Sequence, residues 1–361
     1  MDTWSLIRGV VGLVFLVGGA DLLVRGASSL AQRFGVSALV VGLTVVAFGT
    51  SAPELAVSLQ GAVGGRGDIA LGNVLGSNLF NILMILGLSA LFAPLVVAQQ
   101  LVRKEVPLMI GATVVVLLMA LDGQLAAWEG IVLFGSFGFY TLYTIRQSRK
   151  TSAPVEQEYE EEFGREPKPG AAAIALEVGL VIVGLALLVL GSQWFVGTAV
   201  GLAKLFEVSD LVISLTIVAA GTSLPELATS VMASLRGERD IAVGNVVGSN
   251  LFNLLSVLAL TTIFSPDPIA VSPGVLAFDL PLVLVASLAC LPVFFSGHVI
   301  DRWEGAVFVA YYVAYTTYLV LAATEHAALD FFSLAVMGFL VPITVITLAV
   351  ILVRSLRKSG D

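Results

Sequence analysis

Two glutamates lie inside long apolar stretches of this sequence, where a charged side chain is rare. Glu54 belongs to the apolar run 37–63 and Glu226 to the run 209–234, and both lie well away from the ends. A charged side chain at the centre of a bilayer costs at least ~2.5 kcal/mol, so an acid at that depth points to a functional site. A protonated or hydrogen-bonded structural glutamate is the alternative.

A helix-breaking sequence surrounds each glutamate. Pro53 and Pro225 have no backbone N–H and clash with the carbonyl four residues earlier, that of Gly49 and Gly221. We expect both helices to break through Gly-Thr-Ser. At membrane depth, the freed carbonyls must be buried in protein or face water. They are expected at Ala47, Gly49, Thr50, Ala219, Gly221 and Thr222.

Hydroxyl and amide side chains add further oxygens. Hydroxyl groups three or four residues before each glutamate share its face of a continuous helix; they belong to Thr50, Ser51, Thr222 and Ser223. The following helices carry polar residues at i, i+4 and i+8, namely Asn73, Ser77 and Asn81, and Asn245, Ser249 and Asn253. Helix–helix hydrogen bonding is the alternative role for the asparagines, including Asn78 and Asn250.

The donor set consists of oxygens, with no Cys or His. Hard cations prefer oxygen ligands, and Ca²⁺ takes about 6–8 of them in flexible geometry. Two carboxylates neutralise one Ca²⁺, and the same oxygens suit Na⁺. The residues therefore favour a site at which the two ions compete.

The two glutamate segments are copies of each other. Residues 49–81 read GTSAPELAVSLQGAVGGRGDIALGNVLGSNLFN, and residues 221–253 read GTSLPELATSVMASLRGERDIAVGNVVGSNLFN. At an offset of 172, 21 of the 33 positions are identical without a gap. Such a repeat indicates a duplicated architecture.

The composition indicates a polytopic membrane protein. Only 12% of the 361 residues are charged and 58% are hydrophobic, whereas a soluble domain carries about 25% charged residues. The net charge of −8, without a basic stripe, excludes a nucleic-acid binder.

The apolar runs predict eleven membrane spans, because one span needs about 20 apolar residues. They lie at about 5–24, 37–63, 69–92, 105–121, 126–145, 172–194, 209–234, 241–264, 273–297, 303–323 and 330–353.

The basic residues predict the orientation of these spans. Threading eleven spans leaves fifteen Lys and Arg on one side and only Arg8, Arg66 and Lys204 on the other. Since cytoplasmic loops carry the excess, the N-terminus is expected outside, with the central loop and C-terminus inside. Five spans separate the two copies, so they must cross the membrane in opposite senses, as in transporters with inverted repeats.

The predicted organisation is all-helical with two inverted five-helix repeats. Residues 1–145 form the first, with its motif at 39–83, and residues 171–325 the second, with its motif at 211–255. A charged cytoplasmic linker, 146–170, joins them and contains six glutamates. Residues 326–361 add an eleventh span and a basic tail.

The paired motifs resemble those of the calcium/cation antiporter superfamily. G-T-S-[AL]-P-E followed by G-N-V-[LV]-G-S-N-L-F-N, twice and inverted, is similar to the α-repeats of its sodium/calcium exchanger branch, in the prokaryotic type. The resemblance implies Na⁺-driven Ca²⁺ transport, commonly three Na⁺ per Ca²⁺. It also implies that the first and sixth helices slide against the remainder, and that no enzyme activity or resident cofactor is involved.

The same resemblance implies a set of ion ligands. Glu54, Glu226 and the carbonyls of Thr50 and Thr222 match calcium ligands. The sodium ligands match these residues together with Ala47, Ser51, Ser77, Asn81, Ala219, Ser223, Ser249 and Asn253. Potassium-dependent relatives use Asp where this chain has Asn253, which argues against K⁺ dependence.

Three alternatives stay open beside Na⁺/Ca²⁺ exchange. In a H⁺/Ca²⁺ antiporter the two glutamates carry protons, although Thr-Ser before each glutamate favours Na⁺. An intramembrane hydrolase could use the paired acids as general base and acid, but it would need a nucleophile or a metal–His arrangement, and neither histidine lies within a predicted span. A Ca²⁺ channel also uses acids, but inverted repeats with broken helices favour alternating access.

Overall fold

The protein is a helical, multi-pass membrane protein. The computed structural model describes residues 3–163, 171–295, 297–344, 346 and 347. Within these residues seven helices are long and apolar enough to cross a membrane, and the bent pair Ala38–Thr50 and Ala52–Val63 would make an eighth span. The seven are Thr3–Arg33, Gly67–Phe92, Leu101–Asp122, Ala171–Leu205, Arg239–Phe264, Val275–Phe295 and Arg302–Ala323.

The other predicted spans also fall on helices. The run 126–145 lies in the helix Ala127–Phe163, which continues into the segment expected to be a linker. The run 209–234 is divided among Asp210–Ile213, Ser214–Val218, Ala219–Gly221 and Leu224–Leu235. The last predicted span begins with Leu329–Ala335 and Val336–Leu340. Residues 164–170 and 348–361, which include the basic tail, lie outside the described residues.

Short π-helical segments interrupt the helices at matching places in the two copies. Gly42–Val46 in the first copy corresponds at the offset of 172 to Ser214–Val218 in the second. Extra backbone residues of this kind recur at functional sites, because they re-aim side chains within a helix. The other two matched pairs are Phe80–Ile85 with Asn253–Val257, and Leu101–Glu105 with Val275–Asp279.

Two short antiparallel strand pairs connect the copies. Leu95–Val96 pairs with Val299–Ile300, and Gln124–Leu125 pairs with Ile269–Ala270. In each pair one strand comes from the first copy and the other from the second. The loops of the two halves are therefore held together by backbone hydrogen bonds.

The two longest apolar helices cross at glycines. We call Thr3–Arg33 the first long helix and Ala171–Leu205 the second long helix. A Cβ atom added at Gly12 would lie 2.8 Å from the Gly191 carbonyl oxygen, and one at Gly19 would lie 2.8 Å from that of Gly184. Small residues allow this close backbone approach.

A tight turn follows each broken helix and reverses the chain toward the next helix. Gly65 has φ 73° and Gly237 has φ 80°, a left-handed conformation that side chains with a Cβ rarely adopt. The two glycines are equivalent at the offset of 172. Both turns therefore deliver the following helix back alongside the broken one.

Candidate functional site

Both glutamates lie at the start of a new helix in the middle of an apolar segment. We call residues 38–63 the first broken helix and 210–235 the second broken helix. The first bends by 46° between Ala38–Thr50 and Ala52–Val63. The expected break is confirmed there, and in the second copy Leu224–Leu235 starts after Thr222 and Ser223. Proline suits the first turn of a helix because that N–H needs no intrahelical partner.

The backbone at the breaks is less free than the sequence indicated. Ser51 N–H donates to the Ala47 carbonyl at 3.0 Å. The Gly221 carbonyl accepts a hydrogen bond from Ser192 Oγ at 2.6 Å. The expectation that these two carbonyls lack protein partners is therefore wrong, because a backbone amide and a neighbouring helix supply donors. A carbonyl oxygen has two lone pairs, so each retains capacity for a second interaction.

Each glutamate is hydrogen-bonded by a serine of the opposite copy. Ser51 Oγ donates to Glu226 Oε1 at 2.7 Å, and Ser223 Oγ donates to Glu54 Oε1 at 2.7 Å. The sequence suggested that each hydroxyl shares a helical face with the glutamate of its own copy. That expectation is wrong because the helix breaks at the serine.

The remaining serines and asparagines join the same network. We call Gly67–Phe92 the first site helix and Arg239–Phe264 the second site helix. Ser249 Oγ lies 3.0 Å from Ser51 Oγ, and Ser77 Oγ lies 3.2 Å from Ser223 Oγ. The serines of the site helices thus reach the breaks of the opposite copy.

The asparagines at the start of each polar stripe brace the broken helices. Asn73 Nδ2 donates to Ser58 Oγ at 2.9 Å, and Asn245 Nδ2 donates to Ser230 Oγ at 2.9 Å. Thr50 Oγ1 lies 3.3 Å from Asn245 Oδ1, a contact between copies. These bonds match the helix–helix role considered for Asn73 and Asn245.

Four buried acceptor oxygens of the predicted ligands have no hydrogen-bonding partner within the described part of the chain. They are Glu54 Oε2, Glu226 Oε2, Asn81 Oδ1 and Asn253 Oδ1. All four residues are about 1% exposed. A buried acceptor without a partner costs about 1–3 kcal/mol, so four together indicate a place where a cation supplies the missing interaction.

The ligand types suit a hard cation. Within the described residues, no group of three or more His, Cys, Asp or Glu is placed to hold a metal. The two carboxylates are instead supplemented by neutral hydroxyl, amide and carbonyl oxygens. Such a set binds Ca²⁺ or Na⁺ rather than a transition metal, which prefers imidazole or thiolate.

Most of the predicted residues are buried in the structure, and two are not. Ala219 is exposed and Thr222 half-buried, whereas their counterparts Ala47 and Thr50 are buried. The surroundings of the two breaks therefore differ although their sequences match. The other predicted ligands are buried: Ser51, Glu54, Ser77, Asn81, Ser223, Glu226, Ser249 and Asn253.

Sequence reasoning missed three serines of this network. Ser58 and Ser230 are identical at the offset of 172, so the repeat itself carried the signal. Ser192 has no such signal, because its counterpart in the first long helix is Ala20. Only the packing of the second long helix against Gly221 reveals it.

Comparison with known proteins decides the family. The family model described as "Sodium/calcium exchanger protein" matches residues 4–146 and 176–321. These segments cover most of the chain and include both glutamates. The chain belongs to the sodium/calcium exchanger family. The expected resemblance is thereby confirmed.

Individual relatives of this exchanger chain cover nearly its whole length. It is 40% identical over 309 residues to "Putative antiporter CaxA" of Alkalimonas amylolytica, covering 85% of this chain and 95% of that protein. It is 32% identical over 351 residues to "Sodium/calcium exchanger MaX1" of Methanosarcina acetivorans, covering 88% and 99%. These two relatives are named as a putative antiporter and an exchanger, which points to a transport protein rather than an enzyme.

A solved exchanger structure has the same fold. The sodium-calcium exchanger NCX_Mj, soaked with Na⁺ and Ca²⁺, superimposes with a TM-score of 0.74 at 30% sequence identity. The match covers 87% of this chain and 97% of that one. This exchanger-family chain is therefore a membrane cation antiporter by family and by fold.

Proposed function

We propose that this protein exchanges Na⁺ for Ca²⁺ at one site built from Glu54 and Glu226. The four buried oxygens that have no partner among the described residues carry the proposal. Two belong to carboxylates and two to amides, so together they offer a divalent cation charge neutralisation and oxygen ligands. The serine hydroxyls and the carbonyls at the breaks, including those of Thr50 and Thr222, complete the set.

Na⁺ and Ca²⁺ compete for this site in the proposal. Sodium would occupy positions near the serines and broken-helix carbonyls, and Ca²⁺ the position between the carboxylates. Because an empty site leaves two buried carboxylates without compensation, switching its access from one side of the membrane to the other while it is empty is costly. That cost couples the exit of one ion to the entry of the other.

We further propose that the halves are inverted five-helix repeats forming a ten-helix core. Reciprocal contacts support this arrangement, since Ser51 bonds Glu226 while Ser223 bonds Glu54. Two units related by a twofold axis make such swapped contacts. Each strand pair likewise joins one strand from the first half with one from the second. The excess of basic residues supports a cytoplasmic central loop and C-terminus with the N-terminus outside.

Transport by reconstituted vesicles tests the proposal. Purified protein in Na⁺-loaded vesicles should take up Ca²⁺ from a Na⁺-free medium, and uptake should stop when Na⁺ is equal on both sides. Asp267→Asn, at an exposed position away from the site, serves as the control variant and should transport normally.

The same vesicles separate the coupling ions. Equal Ca²⁺ uptake driven by a pH gradient without Na⁺ would contradict the sodium assignment and favour H⁺/Ca²⁺ exchange. Uptake that rises linearly with Ca²⁺ and needs no counter-ion would instead favour a channel.

A further inference from the structure

Asn78 and Asn250 are buried asparagines outside the proposed ligand set. Each accepts a hydrogen bond from an asparagine that belongs to that set. Asn81 Nδ2 donates to Asn250 Oδ1 at 3.1 Å, and Asn253 Nδ2 donates to Asn78 Oδ1 at 3.1 Å. Each bond runs between the two site helices. The pairs are reciprocal, since Asn250 and Asn253 are the repeat counterparts of Asn78 and Asn81.

The direction of these bonds decides which end of each ligand amide faces the site. An asparagine side chain has a donor NH₂ at one end and an acceptor oxygen at the other. Because Asn250 and Asn78 accept from the nitrogen ends, Asn81 Oδ1 and Asn253 Oδ1 are left without partners among the described residues. An oxygen there attracts a cation, whereas an NH₂ group would repel it.

The nitrogen ends of Asn78 and Asn250 also have acceptors nearby. Asn78 Nδ2 lies 3.5 Å from the backbone carbonyl of Asn250, and Asn250 Nδ2 lies 3.5 Å from Met109 Sδ. Both nitrogens thus point to acceptors away from the ligand amides. The oxygen ends consequently stay directed at Asn81 and Asn253.

We propose that Asn78 and Asn250 are positioning residues that keep the amide oxygens of Asn81 and Asn253 directed at the transported cation. The inference deepens the proposed function and rests on it. It assigns Asn78 and Asn250 an effect on cation affinity without direct contact with the ion. Their alternative role is helix packing alone.

Calorimetric titration of CaCl₂ into the full-length protein in Na⁺-free detergent solution tests the assignment. Asn78→Leu has a similar volume but offers no acceptor, so the Asn253 amide is free to turn and Ca²⁺ affinity should fall about tenfold. Asn78→Asp retains an acceptor oxygen at the same place, and its affinity should stay within about threefold of wild type or increase. Asn250→Leu and Asn250→Asp should behave in the same way through Asn81.

A matched control comes from the second site helix. Thr261→Val removes a buried hydroxyl that lacks a partner among the described residues and lies outside the amide pairs. It should leave Ca²⁺ affinity unchanged. Thermal unfolding without ions, measured for every variant, separates packing effects from effects on binding.

The outcomes distinguish this inference from the proposed function. If Asn78→Leu folds, binds Ca²⁺ like wild type and only loses thermal stability, the pairs serve packing and the inference is wrong. Equal losses in the Leu and Asp variants would also overturn it, because the acceptor would then be irrelevant. Failure of wild type itself to bind Ca²⁺ would instead contradict the proposed function.

Discussion

The two copies of the repeated segment are identical at 21 of 33 positions but pack differently. A Cβ atom at Gly248 would lie 2.7 Å from Leu43 Cα, and one at Gly244 would lie 2.9 Å from the Leu39 carbonyl oxygen. We call Gly244 and Gly248 the closed stripe, because the first broken helix packs directly on it.

The equivalent glycines of the first copy are open. We call Gly72 and Gly76 the open stripe. A Cβ atom added at either glycine would have no heavy atom of the described chain within 4 Å, apart from those of the same helix and the adjacent residues. The exposed Ala219 and half-buried Thr222 belong to the broken helix that would pack there. With the proposed orientation, the open stripe lies in the outer half of the membrane and the closed stripe in the inner half.

In the proposed exchange, this packing difference would let one sequence motif serve two gates. Identical polar residues hold the same site in both copies, while the small residues beside it are packed in one copy and free in the other. If the two packings exchange, the site opens to the opposite side without changing its ligands.

The largest effect is expected at the glutamates, where the copies are alike. Glu54→Gln and Glu226→Gln each remove one of the two charges that balance Ca²⁺. Na⁺-driven Ca²⁺ uptake should therefore fall at least about a hundredfold in both variants, which corresponds to a free-energy change of about 2.7 kcal/mol. Uptake into vesicles measures the loss. Normal uptake by either variant would show that the two halves do not share one site.

Alanine at the stripes should separate the two gates. Gly248→Ala places a Cβ against Leu43 and opposes the observed closure, whereas Gly76→Ala fits the observed structure but blocks the reverse closure. Overpacking costs about 1–3 kcal/mol, which corresponds to a fivefold to more than hundredfold loss of uptake. Gly76→Ala alone should keep normal Ca²⁺ binding in detergent.

The control for the stripes is Gly111→Ala, at a position with open space around it. It should transport like wild type. Normal transport by Gly76→Ala would mean that the open stripe never closes, which would contradict the exchange of packings.

The long helices provide a test of the reciprocal contacts. Gly19 faces Gly184, and Gly191, the repeat counterpart of Gly19, faces Gly12. Gly19→Ala and Gly191→Ala should therefore lower the free energy of unfolding by similar amounts, about 1–3 kcal/mol. Gly18→Ala, beside Gly19 with open space around it, should not lower the free energy of unfolding, because alanine is the better helix former. Unequal losses would argue against twofold-related packing.

The smallest effect is expected at Asp21, because its ion pairs are present in one copy only. Asp21 pairs with Arg25 and Arg236, whereas its counterpart in the second long helix is Gln193. A partly exposed pair contributes about 0–1 kcal/mol. Asp21→Asn should thus change the uptake rate by no more than about fivefold, and less at high salt because of screening. A complete loss of uptake would make Asp21 part of the site.

The sequence alone predicted the elements that carry the chemistry. Pro53 and the Gly-Thr-Ser before it indicated a broken helix, and the first broken helix bends there by 46°. The offset of 172 also led to the matched pairs of glutamates and asparagines. These features are local or repeated, so they are visible in the order of residues.

Two aspects could not be read from the sequence. The bond from Ser51 to Glu226 depends on how the copies face each other, and residue spacing within one helix pointed to Glu54 instead. The difference between the stripes is invisible for another reason, since Gly72 and Gly244 are followed by the same residues, Asn-Val, yet have different packing partners. Tertiary contacts between distant segments determine both.

Locating the bound divalent ion tests the central claim most directly. Crystals of this protein grown with Sr²⁺ as an anomalous stand-in for Ca²⁺ should show one strong peak between the Glu54 and Glu226 carboxylates, at roughly 2.3–2.7 Å from an oxygen of each. The peak should weaken as Na⁺ replaces other monovalent ions in the crystal solution. A peak elsewhere, or one at the glutamates that persists unchanged in high Na⁺, would contradict exchange at this site.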